Sequence, residues 1–147
     1  MSQRAKRVKT LLRVAGIRKK QAEADLARAE QERRAAQERQ LYNVEQLAHT
    51  QSIPSGTVSS LDLRRQRTDL RIDAVLAANQ VLAASAEEVE AARLRWQFAA
   101  RNEKSMGELQ RRERSVLAVR AARVAERAAD DALRARRRPT GTQGRDL

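Results

Sequence analysis

Apolar residues recur at alternating steps of three and four along two long stretches of this chain. In the first, the stepping gives Ala5, Val8, Leu12, Ala15, Lys19, Ala22, Leu26, Ala29, Arg33, Ala36, Gln40, Asn43 and Leu47. In the second it gives Ile72, Val75, Asn79, Leu82, Ala86, Val89, Arg93, Trp96 and Ala100, with Asn79 and Arg93 as polar interruptions. Such heptad spacing predicts two amphipathic helices that pair along a seam. Leu41, Val44 and Ala48 lie one residue off the first seam, which predicts a local register shift near its end. Between the stretches, Ser52-Ile53-Pro54-Ser55-Gly56-Thr57-Val58-Ser59-Ser60 collects turn formers, and Ser59 or Ser60 is placed to cap the helix that follows. The expected elements are a helix over about 2–51, a turn over about 52–60 and a helix over about 61–138. Pro139 ends the second helix, and 139–147 is a polar, Gly-containing segment expected to be disordered.

This pattern predicts an all-α fold: a long two-helix antiparallel coiled-coil hairpin with a longer second helix and a disordered C-terminal tail. With the turn centred near residue 55 and equal rise on both sides, a residue x lies roughly beside 110 − x. Trp96 then faces Leu12 and Ala15, residues 2 and 108 are neighbours, and the second helix continues alone for about 30 residues. Arg101 to Arg114 (RNEKSMGELQRRER) loses the apolar seam, whose positions there are Glu103, Gly107, Gln110 and Arg114. The period resumes at Leu117, Ala121, Val124 and Ala128, with no partner in the chain. An unpartnered stripe beyond a hairpin suggests a surface for another protein. The competing reading is a frayed, Ala-rich helix end whose stripe arises by chance.

Composition explains why the seams are narrow. The chain has 147 residues, of which 27 are Ala, and its only large rings are Tyr42, Trp96 and Phe98. Ala is the best helix former but fills little space, so a compact globular core is not expected. There is no Cys, which excludes disulfides, thiolate zinc sites and Cys nucleophiles. No run of about 18 apolar residues predicts a transmembrane helix. The basic start lacks the apolar stretch of about 7–15 residues that a secretory signal needs. A cytoplasmic protein is the expectation.

The net charge of +12 is polarised. Residues 1–20 carry eight basic side chains and no acid, and residues 101–138 carry twelve basic and six acidic. Residues 21–100 hold ten basic and twelve acidic, so the middle is near neutral. In a hairpin both basic segments fall at the open end, which seeks an acidic partner. Three kinds of partner suit it: an acidic protein surface, nucleic acid bound without sequence preference, or weakly, an anionic membrane surface met by Val8, Leu11, Leu12, Val14 and Ile17 among the cations. A general charge excess in an Arg-rich proteome explains the same numbers, since Arg outnumbers Lys 26 to 5.

No constellation of catalytic residues stands out. His49 is the sole His and has neither a second ligand nor a Cys nucleophile to work with. Glu87, Glu88 and Glu90 read as a solvated helix face, and Asp130-Asp131 alone does not make a metal site. The chain reads as a binding or structural part, with no enzyme activity, cofactor or metal expected.

From Trp96 onward the sequence carries an aromatic residue, then Lys104-Ser105-Met106, then Glu108-Leu109-Gln110-Arg111-Arg112-Glu113-Arg114, and later Ala125-Glu126-Arg127-Ala128-Ala129-Asp130-Asp131. Over these roughly 40 residues it resembles the flagellar export protein FliJ and its relatives, the stalk proteins of type III secretion. The later segment departs from the family pattern at Ala125, Glu126 and Arg127, while Asp130 and Asp131 match. The resemblance implies a two-helix antiparallel coiled coil resembling the central stalk of rotary ATPases. It implies a non-enzymatic role in flagellum biogenesis, motility and protein transport, peripheral to the cytoplasmic face of the cell membrane. The implied partners are a hexameric export ATPase, the cytoplasmic domain of the export-gate membrane protein, and export chaperones that some members escort. By that analogy the ATPase-facing residues are Arg101, Lys104, Arg111, Arg112 and Arg114, with Arg4, Lys6, Arg7 and Lys9 nearby. Tyr42 is the aromatic candidate for the gate contact, with packing against the second helix near Thr68 as the alternative. A virulence-type secretion stalk has the same architecture, and a basic coiled-coil scaffold, or one binding nucleic acid, is the remaining alternative.

Overall fold

The computed structural model describes residues 3–51 and 58–137, and every described residue is α-helical. Helix α1 is Gln3–Gln51 (49 residues) and α2 is Val58–Arg137 (80 residues). Most of the expected turn, 52–57, and the expected tail, 139–147, lie outside the described residues. Because α2 begins at Val58, Ser59 and Ser60 sit inside its first turn, not ahead of it as a cap would. Contacts divide the chain into two units, one of Val14–Glu103 and one that joins Met1–Arg13 to Lys104–Leu147.

In the unit Val14–Glu103, Ala29, Val89 and Ala92 form the buried cluster, with Leu26 packed against it. Ala15 and Ala36 are buried as well. The α1 seam holds its predicted register. Lys19, Ala22, Leu26, Gln40, Asn43 and Leu47 are half-buried or better, and Arg33 alone turns outward. Leu41 and Val44 are exposed, so the predicted register shift does not occur. Once an Ala seam is seated, moving it by one residue would carry Leu47 and Asn43 off the interface.

The α2 seam is mostly as predicted. Val75, Leu82, Ala86, Val89, Trp96 and Ala100 are buried or half-buried, but Ile72, Asn79 and Arg93 are exposed, and the residues before them, Arg71, Ala78 and Ala92, take their places. The seam in this unit is Arg71, Val75, Ala78, Leu82, Ser85, Val89, Ala92, Trp96, Ala99 and Glu103, each buried or half-buried. Small Ala side chains admit the neighbouring helix while Asn79 and Arg93 keep their polar ends in water. Ser85 satisfies its hydroxyl within the helix by donating to the Leu82 carbonyl at 2.7 Å. Shallow grooves follow from this economy of side-chain volume. One of about 210 Å³ is lined by Ala36, Asn43, Ala74, Ala78 and Val81 among others.

Pairing between the helices is offset from the 110 − x expectation. Gly16 approaches the Glu103 carboxylate, and Lys19 pairs with that same carboxylate at 3.0 Å. In the other unit Gly107 approaches the Leu12 side chain and Arg4 pairs with Glu113 at 2.8 Å. Leu12 therefore lies against Gly107. The Arg64 guanidinium donates to the Gln51 carbonyl at 2.6 Å and so caps the end of α1. Before Arg64 on α2, Val58, Leu61 and Leu63 are exposed.

In the unit formed by the two outer segments, Val8 is buried, and Ala5 and Leu12 are half-buried. Opposite them Met106, Gln110, Glu113 and Leu117 continue the α2 seam. The stretch expected to lose its apolar seam still packs against α1, through Met106 and the polar Gln110 and Glu113. Gly107 lets Leu12 come close, and the Arg4 guanidinium neutralises Glu113, whose side chain is only 15% exposed. From Ala118 to Arg137 every residue is exposed. The helix thus runs unpartnered over its last 20 described residues, a shorter overhang than the sequence arithmetic suggested.

Candidate functional site

The basic residues singled out from the sequence sit on the outer-segment unit with one exception. Arg4, Lys6, Arg7 and Lys9 lie on the first turns of α1, and Lys104, Arg111, Arg112 and Arg114 lie on α2; all eight are exposed. Arg101 is exposed too but belongs to the unit Val14–Glu103. Helical geometry sets this arrangement. With Ala5, Val8 and Leu12 held against α2, the intervening Lys6, Arg7 and Lys9 must point outward.

Two of these cations meet across the helices. Lys9 and Arg114 line a groove of about 250 Å³ whose floor is Ala5, Val8 and Leu117 and whose wall includes Gln110 and Glu113. Arg4 is held by Glu113 at 2.8 Å, although its own side chain is 74% exposed. An apolar floor with cationic rims can take an apolar side chain from a partner that also carries carboxylates. With the Arg4 end in water, the pair adds about 1 kcal/mol at most, so its importance is positional.

Tyr42 is 58% exposed on α1, beside exposed Leu41 and Val44. Its ring is available at the surface and does not fill the seam. His49 borders a groove with Gln46, Thr50, Arg67, Leu70 and Arg71. Among the described residues no group of His, Asp or Glu is placed to hold a metal ion, and no helix is long and apolar enough to cross a membrane.

Sequence reasoning passed over the acidic partners. Glu103 looks like a break in an apolar seam and Glu113 lies one residue off its predicted line, yet each pairs with a cation of α1. A usable signal was present: both fall at seam spacing opposite a stretch that has cations and no acid. Comparison with protein families, with curated proteins and with solved structures finds no match to this chain.

Proposed function

We propose that this chain is a non-enzymatic stalk component of the flagellar type III export apparatus, an antiparallel coiled-coil hairpin that binds and activates a hexameric export ATPase. The helix pairing supports the hairpin. In the unit Val14–Glu103, residues 33 and 37 share a groove with 79–86, while 46–50 share one with 67–74. Partner numbers fall on one helix as they rise on the other. In the outer-segment unit Arg4 meets Glu113 and Leu12 meets Gly107, which is the same sense.

The observation that carries the functional reading is the cationic end. Lys6, Arg7 and Lys9 on α1, with Lys104, Arg111, Arg112 and Arg114 on α2, present one sign of charge on a two-helix framework narrow enough to enter a ring. Arg4, tied to Glu113, fixes the helices on which they stand. Tyr42 with Leu41 and Val44 offers the gate-protein contact, on the other unit. Escort of export chaperones is a secondary role in the same scheme, and a virulence-type secretion stalk would use the same surfaces.

The test is ATP hydrolysis by the cognate export ATPase with and without the purified chain. Wild-type chain raises the rate, and R111E/R112E weakens the stimulation. Failure of the wild-type chain to stimulate overturns the reading. Full stimulation by the double variant removes those two residues from the docking surface. Tight duplex binding that falls steeply with log salt would favour the nucleic-acid alternative.

A further inference from the structure

The unpartnered end of α2 has a pattern that the seam register discloses. Within the outer-segment unit the seam positions facing α1 are Met106, Gln110, Glu113 and Leu117. The same alternation of four and three continues to Arg120, Val124, Arg127, Asp131 and Arg134, all exposed. Arginine therefore occupies one seam position in each of three successive turns of the heptad, spaced about 10.5 Å apart. These three arginines make no ion pair among the described residues. Beside them Ala121, Val124 and Ala128 form an apolar strip that starts from half-buried Leu117.

We propose that this face of α2 binds an acidic amphipathic helix of another protein, with carboxylates at heptad spacing meeting Arg120, Arg127 and Arg134. Two observations select that occupant. The face is continuous with an interface already formed, since the position before Arg120 in the same column is Glu113, which α1 satisfies with Arg4. A helix that extends the line of α1 would satisfy the next three positions with the charges reversed. The strip of Leu117, Ala121, Val124 and Ala128 also needs an apolar partner, which a phosphate backbone does not supply. A second copy of the segment would set arginine against arginine. The surface lies beyond the cations assigned to the ATPase and does not depend on that assignment.

The experiment uses the full chain and two synthetic helical peptides of about four heptads. Both carry a Leu seam; one has Glu and the other Lys at the positions opposite the arginine column. Fluorescence anisotropy at about 50 mM salt should show the Glu peptide binding about tenfold more tightly than the Lys peptide, the sum of three exposed pairs. R120Q/R127Q/R134Q should abolish the preference, R120E/R127E/R134E should invert it, and R120K/R127K/R134K should keep it. All three variants alter exposed positions, and circular dichroism checks their helix content. The proposal is overturned if the two peptides bind equally, if neither binds, or if the charge-reversed chain keeps the wild-type preference. It is also overturned if a short duplex binds this face more tightly than the Glu peptide, or if sedimentation shows a dimer that the charge reversal dissolves. ATPase stimulation is read separately, so its loss bears on the stalk reading and leaves this result standing.

Discussion

The Lys19 ammonium lies 3.0 Å from the Glu103 carboxylate, between α1 and α2, with the two side chains 36% and 35% exposed. The hydrogen bond to Glu103 and then its charge hold the Lys19 pKa above the ordinary 10.5; Glu23 adds to this, and partial burial opposes it. A raised folded-state pKa stabilises fully below the ordinary value and is lost as pH rises through the raised one. Glu103→Gln should lower the Lys19 pKa toward 10.5 and flatten the loss of thermal stability on the alkaline side. An NMR titration of the Lys19 side chain reads the first effect and melting curves read the second. Identical Lys19 titrations in the two proteins would show that the pair contributes nothing in solution.

Gly107 lies within α2 with ordinary helical backbone, and a Cβ there would meet only the Leu12 side chain, at 4.0 Å. Ala restricts the unfolded chain and favours the helix. Gly107→Ala should therefore stabilise by about 0.5–1 kcal/mol. Gly16→Ala is tighter, because its Cβ would lie 3.4 Å from a Glu103 oxygen that the Lys19 pair holds in place. Its gain should be smaller. Denaturant melts of the two variants give the order, and a destabilised Gly107→Ala would contradict the open space seen there.

Val89 is 1% exposed and is the largest fully buried side chain. Its neighbours are mostly Ala, which cannot close over a lost methyl pair. Val89→Ala should cost about 1–3 kcal/mol. Ile17→Ala, at a position 49% exposed, should stay within about 0.5 kcal/mol. Equal costs at the two sites would mean that the seam is not where the burial places it.

Trp96 contributes its ring to the seam, yet its Nε1 is buried with no hydrogen-bond partner among the described residues. A buried, unpaired donor costs about 1–3 kcal/mol. Trp96→Phe removes the donor and keeps a ring, so it should be neutral or stabilising despite the smaller side chain. Trp96→Ala removes both and should destabilise by about 3–5 kcal/mol. Urea unfolding followed by circular dichroism compares the two without relying on Trp fluorescence.

Both helices, and most of the α1 seam, were legible in the sequence because Ala, Leu and Val repeat with few competing signals. The α2 seam was legible except at Ile72, Asn79 and Arg93. Stepping through Asn79 and Arg93 chose the residue after Ala78 and Ala92, since Ala appears on every face of this helix and marks none of them. The pairing offset was not legible at all. The Arg64 bond to the Gln51 carbonyl, which ties the two helices there, joins residues that no periodicity relates. The cationic end was legible by counting charges. The use of Glu113 and Glu103 as its internal counter-ions was hidden, because seam carboxylates read as interruptions until the opposite helix is placed.

The bare stretch from Ala118 to Arg137 has a dynamic consequence. No second helix holds it, so its backbone hydrogen bonds survive on the intrinsic helix preference of Ala and Arg alone. An isolated helix of about 20 residues sits close to its own coil transition in water. Amide exchange along α2 should therefore quicken progressively past Leu117, while Val89 and its neighbours exchange only on wider opening. A recognition segment poised in this way gives up some ordering entropy on capture, and it releases its partner readily for the same reason.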